Sequence, residues 1–115
     1  MSDGRRAGGQ AGHDAILSAM SAIYEACVTS VAQARAAQRV GADRLELCTR
    51  ISTGGLTPPL PRLVAVRAAV AIPIHVMVRP RAGDFVASRA EVETMIRAVA
   101  AAREAEADGV VLGLL

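Results

Sequence analysis

The sequence predicts an α/β fold built on a parallel sheet. Three observations lead there. Short apolar runs alternate with longer stretches of helical spacing, giving the order β-α-β-α-β-α-β. The connections between them are short, which suits right-handed crossovers within one sheet. Finally, Ala42-Asp43-Arg44-Leu45 has a counterpart in Ala107-Asp108-Gly109-Val110. Each opens a strand, as repeated βα units would.

Residues 1–21 are set apart as a disordered or weakly helical extension, rich at first in Gly, Arg and small polar residues, with a short helical lead-in over 13–21. The folded unit is expected over 22–115. Its first strand spans 23–28. Thr29 or Ser30 caps the following helix by accepting a first-turn N–H, and Val31, Ala34, Ala37 or Gln38, and Val40 form its apolar side. Gly41 stops that helix, where a left-handed backbone costs glycine little. The second strand spans 43–48, and a loop with Gly54-Gly55 and Pro58-Pro59 follows over 49–59. Pro61 suits the first turn of the second helix, whose face is expected to carry Leu63, Val64, Arg67 and Val70. The third strand spans 72–79, with Pro73 confined to its start. After a loop over 80–87, Ser88-Arg89-Ala90-Glu91 is a capping box. The helix behind it places Val92, Met95, Ile96 and Val99 in the core. Gly109 ends the turn and a fourth strand is expected over 110–115.

Composition narrows the function. The 115 residues fit a single domain and are 52% hydrophobic, with one Phe, one Tyr and no Trp. The core is therefore built from small aliphatics, and aromatic platforms for stacking nucleic-acid bases are missing. All thirteen basic residues are Arg, which excludes a lysine Schiff base. The arginines are scattered and the net charge is only +2, so neither a nucleic-acid surface nor a membrane partner is expected. No apolar run approaches membrane-spanning length. A cytoplasmic protein is the default expectation, in which two cysteines are thiols rather than a structural disulfide.

The chemistry concentrates in two Glu-x-Cys repeats, Glu25-Ala26-Cys27 and Glu46-Leu47-Cys48, which hold both cysteines of the chain. Side chains two apart on a strand share a face, so each strand presents one carboxylate and one thiol together. Thiols level in register on neighbouring parallel strands can share one soft ion, Cu(I) or Zn(II), and His75, Met77 and Arg79 share a face of the third strand. Buried cysteines are also ordinary core residues, and both readings stand. Glu25, Glu46 and His75 are candidates for proton transfer or for a divalent metal; a structural Arg–Glu network is the alternative. The loops after strands two and three carry Gly54-Gly55, Arg79, Arg81 and Asp84. They lie where parallel α/β folds bind ligands, and the arginines suit a carboxylate or phosphate, unless they are plain solvated turns.

Taken together, Tyr24-Glu25-Ala26-Cys27, Gly41-Ala42-Asp43-Arg44-Leu45-Glu46-Leu47-Cys48, Gly54-Gly55-Leu56-Thr57-Pro58, the stretch Ile72-Pro73-Ile74-His75-Val76-Met77-Val78-Arg79-Pro80-Arg81 and Gly83-Asp84-Phe85 resemble the CutC family of copper homeostasis proteins. The resemblance covers nearly everything from Ile23 onward. It implies a TIM (β/α)8-barrel fold and a role in copper binding or tolerance, with Cys27 and Cys48 as Cu(I) ligands. A complete barrel needs eight βα units and about 250 residues. Three units and one further strand are present, an incomplete barrel. A truncated reading frame, a piece of a longer protein and a half-barrel completed by a second copy through its open edges are the expectations that follow. The alternatives in function are an enzyme acting on a small anionic substrate, with Arg79, Arg81 and Asp84 in its binding site, or an inactive fragment.

Overall fold

The computed structural model describes residues 21–115. The expected N-terminal extension, with its helical lead-in, lies outside the described residues except for Ser21. The elements are β1 (Glu25–Val28), α1 (Val31–Arg39), β2 (Arg44–Leu47), a 3-10 turn (Ile51–Thr53), α2 (Leu60–Ala69), β3 (Ile74–Met77), α3 (Arg89–Glu104) and β4 (Gly109–Val111). The four strands form one parallel sheet in the order β1-β2-β3-β4. Each helix thus connects strands that are immediate neighbours, the winding of a barrel wall rather than of a doubly wound sheet.

Alternation along the strands decides which face the helices cover. Leu45 and Leu47 of β2 and Ile74 and Val76 of β3 are buried, while Arg44, Glu46, His75 and Met77 between them are only partly covered. The buried set packs with Ala34 and Ala37 of α1, Leu63 and Val66 of α2, and Ala102 of α3. Burying one such leucine contributes about 1.5–3 kcal/mol. The opposite face is left to the polar and sulfur-bearing side chains.

The helix caps behave as their sequences predict. Ser30 accepts from the Gln33 N–H at 3.1 Å, and Ser88 with Glu91 forms a reciprocal capping box. Two apolar stripes differ from expectation. On α2 the buried positions are Leu63 and Val66, followed by Val70, whereas Val64 is exposed. On α3 Met95 and Ala102 are buried and Ile96 points away from the sheet. In both cases a small residue or a residue one step round the helix makes the contact. At the end of α1, Val40 is also exposed. β4 is shorter than expected; beyond it Leu115 donates its N–H to the Phe85 carbonyl at 3.0 Å.

The repeated Ala-Asp segments turn out to be one device used twice. Asp43 accepts from the Tyr24 N–H at 2.8 Å and returns its own N–H to the Tyr24 carbonyl, also at 2.8 Å. Asp108 does the same with Ile74, 2.8 Å in each direction. Each aspartate therefore closes the entrance to a strand on the backbone of its neighbour, satisfying groups that the ladder leaves over. Arg67 reinforces the second clamp, donating to Asp108 at 2.8 Å and to the carbonyls of Val70 and Ile72 at 3.0 and 2.9 Å.

The Ile74 N–H, and then Arg67, hold the Asp108 carboxyl below the usual aspartate range. A depressed folded-state pKa contributes stability above the unfolded-state value and loses it as pH falls through the folded one. Asp108 is almost half exposed, so solvent screens the pair, and Asp108→Ala should destabilise the chain by about 1 kcal/mol or less at neutral pH. In paired urea titrations the gap between parent and variant should close as pH drops below the ordinary aspartate range. A gap independent of pH would show that the carboxylate charge plays no part.

Candidate functional site

The face opposite the helices forms a grid whose rows are set by strand register. Glu25 stands beside Arg44. The next row runs Cys27, Glu46, His75, Gly109 across all four strands. One step higher, Met77 pairs with Val111. Cys48 continues β2 into that upper row, its N–H bonded to the Val28 carbonyl at 3.1 Å. The two Glu-x-Cys repeats are thus offset by two residues rather than level. Cys27 lies beside Glu46, and Cys48 is its diagonal neighbour on the same face, a relation of about 7–8 Å between backbones that side chains can bridge.

Burial separates the two thiols. Both are free; Cys27 is exposed and Cys48 is buried. What covers Cys48 is the loop after β2. Thr49 and Leu56 exchange backbone hydrogen bonds at 2.9 and 2.8 Å and fold the intervening residues back over the strand end. Gly55 then rests on the site with φ +96°, and a Cβ there would lie 3.4 Å from both Cys48 Sγ and Met77 Cε. A left-handed backbone of this kind favours glycine.

Glu25 and Glu46 occupy adjacent strands and are pushed in opposite directions. The Arg44 guanidinium, 2.7 Å from Glu25, holds the Glu25 carboxyl below the usual range. Burial, and then the Glu25 carboxylate, raise Glu46. Both thiols are raised as well, chiefly by burial. Glu46 and Glu25 add to the effect on Cys27, and Cys27 and Glu46 to that on Cys48. Desolvation and the neighbouring carboxylates thus disfavour both thiolates, the reverse of what activates a cysteine nucleophile. His75 leans over β4: a Cβ on Gly109 would lie 3.1 Å from its Nε2.

Arg79 ties the loops above this face together. It donates to the Thr53 carbonyl at 2.8 Å and the Gly83 carbonyl at 2.9 Å, and its guanidinium lies 5.0 Å from the centre of the Phe85 ring. Its Nε is buried without a partner. Thr57 exchanges hydrogen bonds with the Arg79 backbone at 2.8 and 3.0 Å. Arg81 and Asp84 are not brought to the grid. They are paired at 3.1 Å, and Arg81 also binds Glu91 at 2.5 Å, pinning the loop to the capping box of α3. Arg44 was not among the residues singled out from sequence. Its period-two relation to Glu46 and Cys48 is the signal that places it here.

Among the described residues no group of three or more His, Cys, Asp or Glu is arranged to hold a metal ion. A harder ion that needs several nitrogen or oxygen donors is poorly served. Two thiols on one face, with a thioether beside them, suit Cu(I), which takes soft donors in low number. The donor set thus fits copper.

The CutC family model matches residues 22–115. A copper homeostasis protein cutC homolog from Homo sapiens is 47% identical over 93 residues, covering 81% of this chain and 34% of that protein. A family protein CutC from Rhizobium meliloti (strain 1021) is 51% identical over 89 residues, covering 77% of this chain and 36% of that protein. The solved CutC structure from Streptococcus agalactiae superposes with a TM-score of 0.78 at 30% identity, covering 83% of this chain and 47% of that one. The chain spans little more than a third of the length of these curated relatives, and its four-stranded wall is an incomplete TIM barrel. On the match over 22–115, with the fold and motifs in agreement, the chain belongs to the CutC family.

Proposed function

We propose that the unit at 22–115 is a copper-handling protein that binds Cu(I) through Cys27 and Cys48. The observation that carries this reading is the register of β1 on β2, which sets the two thiols as diagonal neighbours on one face. Thiolate, not thiol, is the ligand, so binding displaces a proton from each cysteine to solvent. Glu46 lies beside Cys27 on the neighbouring strand, and Glu25 is balanced by Arg44 at 2.7 Å. Unpaired thiols suit the reducing cytoplasm. β1 and β4 are the edges of the described sheet, and we place any self-association there.

A second reading has one observation in its favour. Glu25 and Glu46 have pKa values driven apart, the arrangement that assigns acid and base roles to a carboxyl pair. With the unpartnered Nε of Arg79 above them, these carboxyls and His75 would serve proton transfer on a small anionic substrate. An anion bound at the strand ends in a crystal and contacted by Arg79 would favour this over metal binding.

Under reducing, anaerobic conditions the chain should bind one Cu(I) per molecule in competition with a chromogenic chelator, and the Cys27→Ser, Cys48→Ser double variant should lose that binding. Equal binding by the double variant would rule out the site. The electrostatics are checked separately by alkylation with iodoacetamide, followed peptide by peptide. Glu46→Gln removes a negative charge beside Cys27, so the pH midpoint for Cys27 alkylation should move down. An unchanged midpoint would mean that burial alone raises this thiol.

A further inference from the structure

We infer that Met77 supplies a third sulfur to the copper site, giving a centre of two thiolates and one thioether beneath Gly55. This third ligand presupposes the two-cysteine site proposed above. The β2–β3 register pairs Leu47 with Val76, and its next step carries Cys48 level with Met77 on the face that also holds Cys27. The ends of both side chains pack against the same glycine: a Cβ on Gly55 would lie 3.4 Å from Cys48 Sγ and 3.4 Å from Met77 Cε, the methyl bonded to the thioether sulfur. Gly55 is itself buried. A longer side chain there would enter the space over both sulfur-bearing residues, so the bare backbone leaves that space to them.

Charge favours a thioether as the third donor. Cu(I) held by two thiolates already carries a net negative charge and sits beside Glu25 and Glu46. A neutral donor completes the shell without adding repulsion, and sulfur matches the softness of the ion. His75 is the other donor nearby, but its ring is packed against Gly109 in the row of Glu46, one step below Cys48 and Met77. Three sulfurs suit Cu(I), whereas Zn(II) prefers four ligands in a tetrahedron.

The test uses selenomethionine-labelled chain loaded with Cu(I) and examined by X-ray absorption at the selenium edge. The parent should show selenium–copper scattering. Met77→Leu, in which the other three of the four methionines remain, should lose it while still binding one copper. In chelator competition that variant should bind Cu(I) at least about tenfold more weakly, roughly 1.4 kcal/mol. Copper bound by the parent without selenium–copper scattering would overturn the third ligand and leave the two-cysteine site standing. A parent that binds no copper would overturn both. The parent measurement does not depend on how well the variant folds.

Discussion

The register of β1 on β2 is the constraint on which the polar face depends. A parallel pair can slide by two residues without turning any side chain to the other face, so several registers would bury the same leucines. The one observed sets Glu25 against Arg44 and Cys27 against Glu46. It thereby pairs a carboxylate with a guanidinium, leaves the second carboxylate among thiols and the first, and places Cys48 diagonally across from Cys27. Another slip would separate these groups without disturbing the core. The backbone of Tyr24, closed on Asp43 in both directions, pins this register at the strand entrance.

The sheet is also strongly two-sided. Aliphatic residues on one face bury α1, α2 and α3, and the other face carries Glu, Cys, His, Met and Arg under a single folded-back loop. In a barrel wall the helices lie outside and the opposite face looks inward. Charged and sulfur side chains on that inner face sit where a purely structural barrel would place branched aliphatics. Desolvation and neighbouring carboxylates raise the thiols and Glu46 together, so the face disfavours added negative charge. On the proposed reading, copper binding and thiol deprotonation are one coupled event.

Much of this was legible in the sequence, and the exceptions have physical reasons. The strand–helix order, the Ser88–Glu91 capping box and the shared face of each Glu-x-Cys follow from local chemistry and period two. The Asp43 and Asp108 repeat was visible, although its role as a strand-entry clamp emerged only from the hydrogen bonds. Register was not legible, because hydrophobic alternation specifies the face and not the slip. Val64 and Ile96 were assigned to buried stripes, but helices rich in alanine make close contact through Ala34, Ala37 and Ala102 and leave some larger residues outside. Arg81 and Asp84 were legible as a loop pair beside Arg79, with which they line one cavity. The pairing of Arg81 with Glu91 was not legible, because it joins a loop to the first turn of a helix ten residues on.

In the proposed centre each of the two thiols gives up its proton when Cu(I) binds. The most direct measurement is proton release at pH 7 in a pH-stat as Cu(I) is added to the reduced chain. Release of two protons per copper bound is the predicted result. Release of one or none would contradict a centre built on Cys27 and Cys48 together.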